Sequence, residues 1–180
     1  MHVRRFEPLF RSFEARRNLQ KVAVRFSDRC LDISLSLDRL NDLQLLLQYE
    51  NWISHSCLDG DQSYISWRKL GDVISSLYAL GYHERLGVNP TVSTSLRSLR
   101  ELAFARTFSG DRNVSLFLGR PPRMDHKHCL WLPRQLQWDP DAKVDYGAET
   151  RWSAICAVLK GETLDLFHQE DHDEKVKIAK

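Results

Sequence analysis

STSLRSLRELAFARTFSGDRNVSLFLGRPP, residues 93–122, is the stretch on which the fold turns. Leu96, Leu99, Leu102 or Ala103, and Phe104 recur at helical spacing, while Arg97, Arg100 and Arg106 are spread over the other sides. The pattern predicts one helix from about Ser93 to Leu118, ended by Gly119, with Pro121 and Pro122 preventing its continuation. Upstream, Trp67, Leu70, Ile74 and Leu77 recur at three and four, predicting a helix from about Gln62 to Leu80, capped by Asp61 or Ser63 and stopped by Gly81. Before it, Leu37, Leu40, Leu43 and Leu47 form an amphipathic stripe running on to Trp52, and the loop SCLDGD around Gly60 closes that helix. Downstream, Trp152, Ile155, Leu159 and Leu164 fall on one face of a last helix, about Ala148 to Leu166. The stretch 120–146 between them holds four of the six prolines and reads as a long ordered loop.

The N-terminal third is less definite. Residues 1–20 read as a helix with Phe6, Leu9, Phe10 and Phe13 on one face. In 21–34, Val22, Val24 and Phe26 alternate as in a strand, but Leu31, Ile33 and Leu35 run straight into a helical pattern, so the segment stays ambiguous. No segment demands a sheet. The expected fold is all-α, with antiparallel helix pairs.

With 180 residues, 42% hydrophobic, 10% aromatic and 28% charged, plus 8 Gly and 6 Pro, the chain can bury a core and is neither collagen-like nor low-complexity. No run of 18 apolar residues occurs, so no membrane span is expected. The net charge of +2 is uneven: residues 1–29 carry +5, and Glu162–Glu174 holds six carboxylates and no Lys or Arg. The start MHVRRFEPLFRSFEARR carries charges where a secretory leader has an apolar run, and Glu7 and Glu14 oppose a mitochondrial presequence. Cys30, Cys57, Cys129 and Cys156 lack the paired spacing of zinc modules and are expected to be reduced and mostly buried, in a cytosolic or nuclear protein.

The segments SYISWRKLGDVISSLYALGYHERL (63–86) and DRNVSLFLGRPPRMDHKHCLWLP (111–133) together resemble the middle homology region of fungal binuclear zinc cluster transcription factors, over roughly residues 40–165. Ser66, Trp67, Leu70, Gly71, Leu80, Gly81, Tyr82, His83 and Arg85 match the family's first motif. Asp111, Arg112, Ser115, Gly119, Arg120 and Pro121 match the second, followed by Pro133 at the place of its Leu-Pro. The family's Arg-Arg-Arg-x-Trp-Trp is RELAFA here, with Arg100 kept and Phe104 and Ala105 where the tryptophans stand.

The resemblance implies a nuclear regulatory domain, all-α, that meets transcriptional machinery or regulators and senses a small-molecule effector. The family's zinc and its DNA contacts belong to a six-cysteine cluster ahead of this region, and no cysteine precedes Cys30. The expectation is therefore a fragment of a larger helical domain with no cofactor of its own, reaching DNA only through a missing module. Its divisions would be a basic segment 1–36, the regulatory region 37–167 and a polar tail 168–180. Trp67, Gly71, Gly81, His83, Asp111, Arg112, Ser115, Gly119, Arg120 and Pro121 are read as structural residues rather than a ligand site.

Elementary chemistry agrees with that reading of the motif. Asp111 and Ser115 are one turn apart, Arg112 or Arg120 is the expected charge partner of the carboxylate, and Gly119 suits a helix C-cap. Competing constellations are weak. Asp125, His126, His128 and Cys129 bear metal-capable groups but lack a second ligand pair at a standard spacing, and His168 with His172 sits in an acidic tail. Neither a nucleophile elbow nor a glycine-rich phosphate loop occurs, so no enzyme is expected and no catalytic residue is assigned. The six arginines of 97–123 are read as internal ion pairs rather than DNA contacts. The alternative function is a stand-alone helical small-molecule-binding domain, with Trp52, Trp67, Tyr78, Trp131 and Trp152 as pocket walls.

Overall fold

The computed structural model describes residues 10–84, 92–129 and 148–168. Within them the fold is all-α: α1 (Phe13–Ser36), α2 (Asp42–Asp59), α3 (Tyr64–Ala79), α4 (Thr94–Leu118), a one-turn 3-10 helix (His126–His128) and α5 (Ala148–His168), with no strand among the described residues. Two compact units divide inside α3, residues 1–73 and 74–180. Among the described residues no helix is long and apolar enough to cross a membrane.

In the first unit α1 is one helix through the segment left ambiguous by its sequence. Ser12 caps it by accepting the Ala15 amide at 3.0 Å, and Glu14 complements the N-terminal dipole. The strand-like alternation has a helical explanation. Val22 and Phe26, four apart, share an exposed face, whereas Val24 lies on the opposite side and is buried. Phe10 and Phe13, read as part of one apolar helix face, are exposed, Phe13 by 70%. Phe6 and Leu9 lie outside the described residues.

α2 starts at Asn41, whose side chain accepts the Gln44 amide at 3.0 Å, so Leu37 and Leu40 precede the helix. The leucine stripe is not the inward face. Leu37 and Leu43 are exposed, and the buried positions are Gln44, Leu45, Gln48, Asn51, Trp52 and His55. The reason is polar: α1 presents Asp28 and α3 presents Lys69, and the helix turns towards them the side that can satisfy both. The short link at 37–41 makes α1 and α2 an antiparallel pair. The N-terminal part of α3 completes the unit, with Ser63 accepting the Ser66 amide at 3.0 Å and Leu70 and Val73 buried.

The second unit begins with Ile74 and Leu77, both buried on the predicted stripe. Gly81, at φ 72°, ends α3 in a Schellman turn, the Tyr82 amide reaching the Leu77 carbonyl at 3.1 Å and the Gly81 amide reaching that of Tyr78 at 3.0 Å. Buried residues cover most of the circumference of the middle of α4, Phe104, Ala105, Thr107, Phe108, Asp111, Val114 and Ser115 among them, and leave one wetter stripe through Arg106, Gly110, Asn113 and Phe117. Phe104 and Ala105 are both fully buried. α5 meets α4 through small residues, Ala154, Ala157 and Gly161, which let the backbones approach against stacked Phe104 and Phe108. Arg106 pairs with Glu149 at 3.6 Å and Lys160 donates to Asn113 at 2.6 Å, so contacts advance in the same sense along α4 and α5, as the long connection between them permits. Trp152 and Leu159, expected on the core face of α5, are exposed, Trp152 by 69%, because the small residues two places along take the contact.

Candidate functional site

The Asp-Arg pair of α4 forms the hub of the second unit. Asp111 is buried, and its carboxylate accepts the main-chain amides of Arg123 (3.0 and 3.2 Å) and Met124 (2.9 Å). The expected arginine partner is thus replaced by backbone. Arg112 is the next residue round the helix, about 100° away, and points elsewhere. Its guanidinium donates to the Met124 carbonyl at 2.6 Å and lies 5.0 Å from the Phe108 ring centroid. Two adjacent side chains of opposite charge therefore grip one peptide segment, Asp111 by its N–H groups and Arg112 by its carbonyl. Burial pushes the Asp111 carboxyl above the usual carboxylate range, against the pull of the two amides and of Arg112 and Arg123.

The rest of the motif brings that segment to the hub. Gly119, at φ 61°, is the left-handed C-cap, and the Arg120 amide closes back on the Ser115 carbonyl at 3.1 Å. Ser115 is buried one turn after Asp111, and Arg120 and exposed Pro121 lead the chain round to Arg123 and Met124. Trp67 is half-buried and tilted against Tyr64, Gly71 lies within α3, Gly81 caps it, and His83 packs edge-on against Tyr78 at 4.9 Å. Arg85, Trp131 and Pro133 lie outside the described residues.

The loop 125–129 is built by ordinary turn chemistry. Asp125 accepts the Lys127 amide at 2.9 Å, which holds its carboxyl below the usual range. Cys129 turns inward and donates to the Asp125 carbonyl at 3.2 Å. Burial raises its thiol to about 11 and raises the neighbouring Tyr78 phenol to about 12. Among the described residues no group of three or more His, Cys, Asp or Glu side chains is placed to hold a metal ion. His172 and the acidic tail beyond it lie outside them. The cysteines are free, as expected, but only Cys129 is buried; Cys30 and Cys156 are intermediate and Cys57 is exposed. Of the expected aromatic walls, Trp52 is core, Trp67 is half-buried, Trp152 is exposed and Trp131 lies outside the described residues.

The first unit holds a second polar centre, which no local motif announces. Asp28 Oδ1 accepts from Asn51 Nδ2, His55 Nε2 and Lys69 Nζ, each at 3.0 Å. Lys69 also donates to Asn51 Oδ1, and the other ring nitrogen of His55 meets Asp59 at 2.7 Å. Burial alone pushes the Asp28 carboxyl up, but the hydrogen bonds from Asn51, His55 and Lys69 together outweigh it and hold the group at about 2. The only sequence signal is the i, i+4, i+8 spacing of Asn51, His55 and Asp59 along α2. This centre joins three helices and satisfies its own charges, which is the work of a structural network.

Comparison of the chain with protein-family models, with curated proteins and with solved structures returns no match in any of the three.

Proposed function

We propose that the chain is a regulatory and interaction domain of the fungal zinc cluster transcription factor kind, acting in the nucleus on DNA-templated transcription through contacts with regulators or transcriptional machinery. One observation carries the reading: the spacing Asp111-Arg112, Ser115, Gly119-Arg120-Pro121, which the resemblance singles out, corresponds to a single built device. The cap at Gly119 returns the chain, and the Asp-Arg pair grips it at Arg123 and Met124. A motif whose work is packing would have this form. The domain's role is then to present surface, with DNA reading left to a separate module.

The test is a tethering assay. The full chain is fused to an unrelated DNA-binding module in a fungal host carrying the matching reporter. Reporter output is expected to change several-fold relative to the module alone, with a fluorescent fusion concentrated in the nucleus. Output equal to that of the module alone, at matched protein level, overturns the reading.

A further inference from the structure

Helix α1 is apolar on two sides. The inner side, which meets α2, carries buried Val24 and turns Asp28 to Asn51. On the opposite side Leu19, Val22, Phe26, Cys30, Ile33 and Leu37 follow one another at intervals of three and four, a seam that runs along the helix to its C-cap. Leu19 and Cys30 are half-buried, and Val22, Phe26, Ile33 and Leu37 are 61–70% exposed.

Size and shape say what kind of object covers such a seam. The four exposed residues leave roughly 450 Å² to water, as much as the largest apolar patch of an ordinary monomer, which is often an interaction site. At 100° per residue the seam is only about 80° wide, the narrow form of helix-to-helix pairing rather than the broad apolar face that lies on a membrane. With the stems of the arginines along its edges, a helix laid on it would bury about 1,200 Å² in total, the lower end of a specific interface.

Charge chooses among the helices that could lie there. Arg25 and Arg29 stand along one edge of the seam and Arg16 along the other, all exposed, whereas Glu14 and Asp32 lie farther round α1 and Asp28 is held in the polar centre. The Arg29–Asp32 pair, 4.0 Å apart and exposed on both sides, cancels little of that charge. A second copy of α1 on the seam would set arginine edges against arginine edges, which opposes self-pairing. We propose that the outer face of α1 docks an acidic amphipathic helix of another protein, its apolar stripe against Val22, Phe26, Ile33 and Leu37 and its carboxylates against Arg16, Arg25 and Arg29. This names the kind of regulator that the surface-presenting domain takes, and it rests on the transcriptional reading only for its cellular setting.

The probe is a fluorescein-labelled synthetic peptide as long as α1, with leucine at heptad positions a and d and glutamate at e and g, titrated with the purified full chain and followed by anisotropy. Binding is expected to saturate with a Kd of roughly micromolar and to weaken as salt rises. A peptide with lysine in place of glutamate is expected to bind about tenfold more weakly or worse. Phe26→Asp, at an exposed position, is expected to weaken the glutamate peptide about tenfold or more. Arg25→Glu combined with Arg29→Glu is expected to shift the preference towards the lysine peptide, and carries the test if Phe26→Asp fails to fold. Absence of saturable binding, equal binding of the two peptides, or an unchanged affinity in Phe26→Asp overturns the proposal. So does a dimer seen by sedimentation that Phe26→Asp dissociates, which assigns the face to a second copy. Flotation with vesicles of phosphatidylcholine and phosphatidylserine that the same variant abolishes assigns it to a lipid surface and overturns the proposal too. The assay uses no reporter, so its failure leaves the transcriptional reading standing.

Discussion

Asp111 carries two opposing free-energy effects. Its carboxylate accepts two main-chain amides, yet its burial disfavours the charge. Asp111→Ala removes both effects, and the loss of the buried hydrogen bonds dominates, so a loss of about 1–3 kcal/mol in a denaturant or thermal melt is expected. Asp28 works differently with pH. Its folded-state value of about 2 lies below the ordinary 3.8, so its contribution is present above pH 3.8 and is lost as pH falls towards 2. Asp111 has the opposite sign, since a raised folded-state value makes its ionisation work against folding as pH rises. Acid titration of stability should therefore lose part of its slope between pH 4 and 2 in Asp28→Asn and keep it in Asp111→Asn. An unchanged acid limb in Asp28→Asn would show that the network does not hold the carboxylate charged.

Helix ends were legible because one residue decides each of them. Ser63, Gly81 and Gly119 stand where the expected caps stand, Ser93 caps the helix expected to begin there, and a cap needs only its own hydroxyl or its own φ. Helix faces were less legible, because a face is chosen by its partner. Leu43 fits a leucine stripe but is exposed, while Gln44, Gln48 and Asn51 are buried because Asp28 and Lys69, far away in sequence, await them. An end that is set locally also makes a clean prediction. Gly119→Val places a β-branched residue at φ 61° and should destabilise the fold by about 1–3 kcal/mol, whereas Gly119→Asn, which tolerates the left-handed region, should lose less. Equal melts for the two variants would mean that α4 ends without needing that conformation.

On the scale of the whole molecule the question is whether the chain can read DNA by itself. A structural zinc needs about four ligands in a closed shell, and a sequence-reading module must set side chains against base edges. The described residues place no three metal-capable side chains together, and Cys30 and Cys57 belong to one compact unit while Cys129 and Cys156 belong to the other. The buried thiol of Cys129, raised to about 11, is a poor ligand because it resists the deprotonation that zinc binding requires. Of the arginines of α4, Arg112 is buried and donates to the Met124 carbonyl, while Arg106 makes an exposed pair with Glu149. The strongest concentration of positive charge along the sequence is the +5 of residues 1–29, and charge of this kind attracts phosphate without distinguishing bases. Metal analysis of the purified chain is therefore expected to find well under one zinc per molecule. DNA binding is expected to be weak, indifferent to sequence and steeply reduced by salt. One zinc per chain, or tight sequence-dependent binding that survives physiological salt, would mean that this chain reads DNA itself and would overturn the division of labour proposed for it.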